Sequence, residues 1–501
     1  MTRGVRALAA VLVAGCAARA HSVPLAPAVR ALAAELDSAF AAPEYARATW
    51  GVVVQSLDNG QVLYRRNAQR LMMPASNQKI LTGSVALARL GPEFRWRTTV
   101  VAAGAVRGDT LRGDLVVIGR GDPSLSLHVS GGDDVLAALR PWADSVRGRG
   151  IRVVTGRVRG DGSYFPDAVL GEGWMWDDLP DSYSAPVGAL QFNEGFAEIE
   201  VTPGDTVGAP ARVRLVPAQA PFVVVSTATT APADTATALR RTRVFYADTV
   251  LLEGRIPRGR TPARLAVAVT DPTRYFEAAL TQVLREGGVA VLEGGEDRRH
   301  PTVTGLALAV ALPPDTATLF TWRSITLAEL MPFFEKPSQN QIGEALMRTV
   351  GGVVTGTASQ DSGRAAVRAT LAGWGVPEDA VVYVDGSGLS RYNYVAPDAI
   401  ATVLWTMAHR SDSALFREAL PVAGVDGTLE ARLRGTAAER NVRAKTGSIA
   451  NVRTLSGYVT TVDGERLLFV LMANHFTAPR RVIERTQDHV VERLANFSRR
   501  R

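Results

Sequence analysis

Cysteine is nearly absent from this 501-residue chain, and the single cysteine, Cys16, lies close to the N-terminus. The remaining sequence therefore cannot form an internal disulfide. Long apolar runs are also missing after the first 20 residues, so no transmembrane span is predicted there. The folded protein must be held together by its hydrophobic core alone, for which 46% apolar and 21% charged residues are typical values.

The patterns of several function classes are absent too. Six histidines are scattered, with no H-E-x-x-H pair and no cysteine cluster, so neither a metal nor another cofactor is predicted. No G-x-S-x-G turn indicates a Ser-His-Asp hydrolase. The net charge of +7 includes three arginines of the first 20 residues, and no basic block carries interleaved aromatics. Nucleic-acid binding is therefore disfavoured.

Residues 1–20 predict an export signal, with Arg3 and Arg6 before an apolar run and small residues after it. Two interpretations of its processing remain open. Ala18-Arg19-Ala20 fits ordinary cleavage, whereas Val13-Ala14-Gly15-Cys16 resembles a bacterial lipobox that would make Cys16 a lipid anchor. Both predict an exported protein of the periplasm or cell envelope, an oxidising destination.

Lysine is scarce in the same way, because only Lys79, Lys336 and Lys445 contribute to the 56 lysine and arginine residues. Arginine serves nearly everywhere else. A guanidinium stays protonated, whereas a buried or crowded ammonium can lose its proton. Each lysine also stands in a short polar motif, which indicates chemistry that needs a removable proton.

The coarse organisation predicts a discontinuous α/β (α+β) domain, built from residues 23–95 and 296–501, with an antiparallel sheet flanked by helices. Residues 96–295 predict an inserted, mostly β region of one or two domains. Predicted helices of the outer segments are Pro27–Phe40, 76–90, Gln341–Val350, Pro397–His409 and Ala478–Asn496, and predicted strands are Trp50–Leu57, Gln61–Tyr64, Thr454–Thr461 and Arg466–Asn474. Predicted strands of the insertion include Thr98–Ala102, Asp114–Ile118 and Arg152–Arg159.

Ser76-Asn77-Gln78-Lys79 opens the second predicted helix. A serine hydroxyl needs a neighbouring base to become a nucleophile, and a spacing of three places Lys79 one helical turn from Ser76. The N–H groups at the helix start favour developing negative charge. The alternative is a capping serine followed by an unrelated surface lysine.

Ser338-Gln339-Asn340 precedes another predicted helix, after Lys336-Pro337. Its serine could relay a proton to a leaving amine, and its asparagine amide could bind a peptide group of a substrate. The alternative is an ordinary capped helix start.

Lys445-Thr446-Gly447-Ser448 is expected to precede a strand. An edge strand can pair with an extended substrate, and Gly447 leaves room for close approach. The Ser448 N–H could complete an oxyanion hole with the Ser76 N–H. Lys445 would attract a carboxylate indirectly and keep Lys79 deprotonated. The alternative is a basic turn that leads into a strand.

The three motifs in this order, S-x-x-K, S-x-N and K-T-G, are those of penicillin-binding proteins and class A β-lactamases. Further stretches cover nearly the whole chain, including 119–125, 173–178, 184–186, 385–391 and 426–429. With them, the chain resembles the class C low-molecular-mass penicillin-binding proteins, the D-alanyl-D-alanine carboxypeptidase/endopeptidase family of peptidase S13. The long insertion between the first two motifs is typical of that family. Gln339 stands where the family usually has aspartate.

The resemblance implies that Ser76 attacks the penultimate D-alanine of peptidoglycan stem peptides ending in D-Ala-D-Ala, with Lys79 as base and β-lactams as covalent inhibitors. Ser338 would protonate the leaving group, Asn340 and Thr446 would position substrate, and Lys445 with Ser448 would favour its carboxylate. Asp177, in the Trp-rich stretch, either borders the cleft or is a structural loop carboxylate. A β-lactamase, a D-amino-acid esterase and a catalytically silent wall-binding scaffold are the competing functions, and the balance of carboxypeptidase and endopeptidase action stays open.

Overall fold

A computed structural model describes residues 26–244, 247–292 and 309–500, so the leader prediction and Cys16 lie outside the described residues. The α-helices are α1 (Pro27–Phe40), α2 (Gln78–Leu90), α3 (Leu127–Ser130), α4 (Arg140–Gly148), α5 (Pro272–Glu286), α6 (Leu327–Glu335), α7 (Asn340–Thr355), α8 (Gln360–Gly373), α9 (Pro397–Ala408), α10 (Ser413–Ala419) and α11 (Arg480–Ala495). The strands are β1 (Thr49–Ser56), β2 (Val62–Arg66), β3 (Arg97–Arg107), β4 (Thr110–Ile118), β5 (Val153–Val154), β6 (Val158–Asp161), β7 (Phe196–Thr202), β8 (Arg212–Val216), β9 (Val223–Ser226), β10 (Thr229–Ala231), β11 (Ala238–Arg243), β12 (Thr249–Pro257), β13 (Ala263–Ala268), β14 (Ala290–Val291), β15 (Thr316–Arg323), β16 (Val381–Val382), β17 (Tyr394–Val395), β18 (Arg443–Ile449), β19 (Val452–Thr460) and β20 (Arg466–Asn474).

One sheet joins the two ends of the described chain. Its strands are neighbours in the order β18-β19-β20-β1-β2, and every pairing is antiparallel. Strand β1 pairs with β20 from Thr49 opposite Asn474 to Ser56 opposite Leu467. Strand β18 lies at the edge, where Ala444 N donates a hydrogen bond of 3.0 Å to the Pro421 carbonyl. Beyond Ala444, no strand of the described residues pairs with its outer side, so another extended chain can pair there.

Side chains of this sheet alternate between two cores, because successive residues of a strand face opposite ways. From β20, Leu467 and Phe469 pack with α1 and α11. Leu468 and Val470 pack with α2 and α6 to α9 on the other face. Helices therefore cover both faces of an antiparallel sheet, the fold class that the sequence predicts.

The region between α2 and α6 holds further sheets. Their orders are β14-β5-β4-β3-β15 with β6 against β4, β10-β12-β11 with β9 against β12, and β13-β7-β8. The prediction of one strand over Arg152–Arg159 is wrong, because the structure has two short strands there, β5 and β6. The chain is interrupted between them at Gly156, and next to it Arg157 N donates a hydrogen bond of 3.0 Å to Asp114. Helix α5 was also not expected, and it buries Tyr275 and Phe276 in the core of this region.

Within the described ranges, no helix is both long and apolar enough to cross a membrane.

Candidate active site

Ser76 stands where a 3₁₀ turn, Ala75–Asn77, leads directly into α2. Lys79 follows in the first turn of α2, and its Nζ lies 3.1 Å from Ser76 Oγ. Ser76 is partly exposed, whereas Lys79 is completely buried. A hydroxyl that faces solvent and an amine that does not are thus in hydrogen-bond contact.

The Lys79 amine has two further partners. It donates hydrogen bonds of 2.6 Å to Asn340 Oδ1 and 2.7 Å to the Ser387 carbonyl. The Asn340 oxygen faces Lys79 because the other end of that amide donates to the Tyr183 carbonyl at 2.6 Å. A neutral amine has two N–H groups and one lone pair. With both N–H groups taken by obligate acceptors, the lone pair is left for the hydroxyl of Ser76.

The protonation of Lys79 is shifted in the direction that this geometry requires. Burial, and after it the charge of Lys445, lower the pKa of Lys79 to about 7, although the carboxylates of Glu335, Asp385 and Glu344 act in the opposite direction. Loss of solvation disfavours the charged form of an amine, and a like charge has the same sign of effect. Lys79 can therefore accept a proton near neutral pH.

Lys445 lies in β18, a strand that the sequence did not predict; its motif still precedes the expected strand, β19, and pairs with it, with Thr446 opposite Leu455. Its side chain is completely buried and donates a hydrogen bond of 3.1 Å to the Thr446 carbonyl. Burial lowers the pKa of Lys445. Lys445 therefore acts on the cavity through its charge and through β18, beneath the surface that a substrate would touch.

Strand β18 passes very close to Ser76. A Cβ placed on Gly447 would lie 3.0 Å from Ser76 N and 2.8 Å from the Pro74 carbonyl oxygen. Only glycine allows this approach without displacing backbone. Thr446 and Ser448, on either side of Gly447, line the same cavity as Ser76.

Ser338 and Asn340 reach the site from the turn before α7. Ser338 has a left-handed backbone, with φ of 67°, and its Oγ is buried without a hydrogen-bond partner among the described residues. Ser338 lines the cavity beside Ser76. The two ends of the Asn340 amide bind Lys79 and Tyr183, so this side chain orients the Lys79 amine. It was expected to bind a substrate peptide group.

The cavity has a volume of about 430 Å³. Asp177, from the Trp-rich stretch, is exposed and contributes to its wall, together with its neighbours Met175 and Asp178. The other residues that line the cavity are Ser76, Tyr183, Ser338, Asn340, Gly388, Leu389, Arg391, Thr428, Thr446, Ser448, Ile449 and Ala450.

The third lysine has a different environment. Lys336 is partly exposed and forms an ion pair of 2.6 Å with Asp426. The Lys336 carbonyl accepts from Thr428 N at 3.1 Å, and Thr428 Oγ1 accepts from Thr446 Oγ1 at 2.7 Å. Lys336 therefore helps to join the turn of Ser338 to strand β18.

A buried carboxylate beside the two site lysines was not anticipated from the sequence. Glu335 ends α6 and is completely buried. A Cβ placed on Gly83, which lies one helical turn after Lys79, would be 2.7 Å from Glu335 Oε1. Burial raises its pKa, whereas the charges of Lys445 and Lys79 lower it. No spacing rule marks it, because it is one acidic residue at the end of an apolar helix.

The segment 385–388 belongs to a stretch that resembles the family, but its sequence predicts no role for it. In the structure it supplies the Ser387 carbonyl as an acceptor for Lys79. Glu344 holds this segment, accepting from Gly386 N at 2.9 Å and from Ser387 N at 3.0 Å. Glu344 also pairs with Arg348 at 3.1 Å, with both side chains buried. A buried ion pair in α7 thus positions an acceptor of the Lys79 amine.

In the part of the chain that the structure describes, no three His, Cys, Asp or Glu side chains are grouped to hold a metal ion.

Residues 32–497 match the family described as D-Ala-D-Ala carboxypeptidase 3 (S13). A D-alanyl-D-alanine carboxypeptidase from an Actinomadura species is 33% identical over 477 residues, covering 93% of this chain and 84% of the relative. A D-alanyl-D-alanine carboxypeptidase from Haemophilus influenzae is 28% identical and covers 85% of each chain.

Solved structures agree with this match. The crystal structure of penicillin binding protein 4 from H. influenzae superposes with a TM-score of 0.77 at 26% identity, covering 93% of this chain and 99% of that one. The same protein complexed with a β-lactam gives a TM-score of 0.72 at 25% identity and the same coverage.

Proposed function

Because the chain belongs to the D-Ala-D-Ala carboxypeptidase 3 (S13) family, we propose that Ser76 removes the terminal D-alanine of peptides ending in D-Ala-D-Ala through an acyl-enzyme. The chain is a serine-type D-Ala-D-Ala carboxypeptidase. The observation that carries the assignment to Ser76 is its contact of 3.1 Å with a fully buried lysine amine. We propose peptidoglycan stem peptides as substrates and β-lactams as covalent inhibitors; the β-lactam complex of penicillin binding protein 4 supports the second.

In the acylation step, Lys79 takes the proton of Ser76 as Oγ attacks the carbonyl of the penultimate D-alanine. Asn340 and the Ser387 carbonyl hold the amine so that its lone pair faces the hydroxyl. The N–H groups of Ser76 and Ser448 stabilise the oxyanion that forms. The close approach of Gly447 to Ser76 N supports this pairing of donors.

The tetrahedral intermediate then collapses: the C–N bond breaks, and the proton that Lys79 took from Ser76 passes through Ser338 to the leaving amine of D-alanine, which leaves Lys79 neutral again. The Ser338 Oγ suits this relay because it lines the cavity and has no hydrogen-bond partner in the described chain. Water then attacks the ester carbonyl as Lys79 takes its proton, and Lys79 returns that proton to Ser76 Oγ as the ester C–O bond breaks and the serine is released.

Substrate binding is proposed along the free edge of β18, where main-chain hydrogen bonds can hold an extended peptide. Thr446 and Ser448 face the cavity at this edge, and the buried positive charge of Lys445 attracts the terminal carboxylate. The leader residues support the further proposal that the enzyme works in the periplasm or cell envelope. Fractionation of cells that express the full chain tests this location.

The purified chain should be incubated with a labelled penicillin and, separately, with a peptide ending in D-Ala-D-Ala. We expect a long-lived covalent adduct on Ser76 and release of one D-alanine per peptide, both abolished in Ser76→Ala. Rapid turnover of the penicillin without peptide cleavage would instead indicate a β-lactamase. Neither adduct nor D-alanine release would contradict the proposal.

A further inference from the structure

The direction of the Ser338 hydroxyl depends on the turn that carries it. Ser338 has φ of 67°, a left-handed conformation that is costly for a residue other than glycine unless its surroundings hold it. Its own hydroxyl contributes no hydrogen bond to another described residue. The turn must therefore be fixed by its neighbours.

Those neighbours are tied to the inserted region. Asn340 Nδ2 donates to the Tyr183 carbonyl at 2.6 Å, and Gln341 Nε2 donates to the carbonyls of Ser182 and Ala185 at 3.0 and 3.2 Å. Gln339 Nε2 donates to Glu194 Oε2. Of these contacts, the one from Gln339 is the only side chain to side chain bond, and it is charge-assisted, which makes it the strongest type.

Glu194 is built into its place. Its side chain is 8% exposed, and its second oxygen, Oε1, accepts from Ser126 Oγ at 3.2 Å and lies 3.3 Å from His128 Nδ1. Glu194 has φ of 54°, so it too is held in a left-handed conformation. Glu194 raises the pKa of His128, since a carboxylate favours the charged imidazole. The carboxylate therefore has one oxygen fixed by the insertion and the other aimed at residue 339.

We propose that Glu194 is a positioning residue of the inserted region, which fixes the Ser338 hydroxyl for proton transfer through its hydrogen bond to Gln339. The proposal rests on the function given above. It follows that residues 194 and 339 form a matched pair. An acceptor-only carboxylate at 194 requires a donor at 339, which glutamine provides and an ionised aspartate would not.

The test compares acylation rates by a labelled penicillin for Glu194→Ala, Gln339→Ala and the double variant. We expect each single change to slow acylation by about tenfold or more, because a small displacement of a reacting group is costly, and we expect the double variant to lose no more than one single change. Gln339→Asp should slow acylation, because two carboxylates then face each other. Combining it with Glu194→Gln restores a donor, now at residue 194, opposite an acceptor at residue 339, and should restore most of the acylation rate. Glu198→Gln is the matched control, since that carboxylate pairs with Arg264 at 3.2 Å in the insertion.

A second substrate separates positioning of Ser338 from a general loss of structure. The second substrate is a thioester that carries the same acyl group as the D-Ala-D-Ala peptide. Its leaving thiolate needs no proton. Glu194→Ala should therefore slow hydrolysis of the thioester much less than it slows acylation by penicillin. Thermal unfolding of each variant is recorded alongside. Equal losses on both substrates, additive single changes, or no rescue in the exchanged pair would each overturn the inference. If the labelled penicillin does not acylate the parent chain, the proposed function is overturned, and this inference with it.

Discussion

Lys79 donates a hydrogen bond of 2.6 Å to Asn340 Oδ1, although 261 positions separate the two residues. The Asn340 amide is fixed in turn by the Tyr183 carbonyl, which belongs to the insertion between them. The Lys79 amine, the proposed general base, is thus oriented by two distant segments of the chain.

Acylation by a penicillin should rise with pH through a midpoint near 7, because burial lowers the pKa of Lys79 to about 7 and only its neutral form is a base. Asn340→Asp places a carboxylate against the amine, which favours the ammonium, so the midpoint should move up by roughly one unit. The pH dependence of the second-order acylation rate measures both. Asn59→Asp, an exposed change in the β1–β2 turn, should leave the midpoint unmoved.

Glu335→Gln should move the same midpoint in the opposite direction. The charge of Glu335 raises the pKa of Lys79, and the neutral amide cannot. Acylation should therefore persist to lower pH than in the parent chain. Glu430→Gln, an exposed carboxylate, serves as the control. A midpoint that stays in place, or rises, would show that Glu335 is not charged beside Lys79.

Lys79→Arg should lose penicillin labelling by about 10³-fold despite keeping the positive charge, because a guanidinium cannot act as base near neutral pH. Lys336→Arg is the matched exchange, since arginine can keep the ion pair with Asp426. It should label at close to the parent rate. Equal labelling of both variants would remove Lys79 from the mechanism.

Gly447→Ala should slow acylation by about 10²-fold, because its Cβ would press on Ser76 N and on the Pro74 carbonyl and push β18 away. Gly373→Ala adds the same methyl where no atom lies within 4 Å and should have no effect on the rate. Rates are measured with a labelled penicillin, and circular dichroism verifies that both variants fold. An active Gly447→Ala would contradict the close approach.

Arg348→Met should destabilise the protein by about 3 kcal/mol or more, because it leaves the buried carboxylate of Glu344 without its ion-pair partner. The double change Glu344→Gln with Arg348→Met removes both charges and should recover part of that loss. Chemical denaturation of the three chains measures the difference. A single change as stable as the double would contradict the pairing.

Local patterns were sufficient for several regular elements of the outer segments. The helix predicted over Pro27–Phe40 and the strand predicted over Arg466–Asn474 have the observed bounds, because apolar spacing and turn residues mark both ends. The insertion was harder. There the stretch 152–159 divides between two short strands, and only a long-range pairing with β4 reveals the step.

The site shows the same limit. Spacing within a motif placed Ser76 beside Lys79, since one helical turn determines that contact. Glu335, Glu344 and the Ser387 carbonyl could not be predicted, because their closeness to Lys79 arises from the packing of α6 and α7 against α2. The partner of Gln339 likewise required the position of the insertion.

The pairing of β1 with β20 and the closeness of β18 to Ser76 also determine when during folding the site is formed. Ser76 is synthesised early, whereas β18, which shapes its pocket, is among the last segments to be synthesised. Contacts of such long sequence separation form slowly, so Ser76 stays without its complete pocket until late in folding. The pocket around Ser76 is therefore complete only when residues 443–474, which form β18 to β20, have docked.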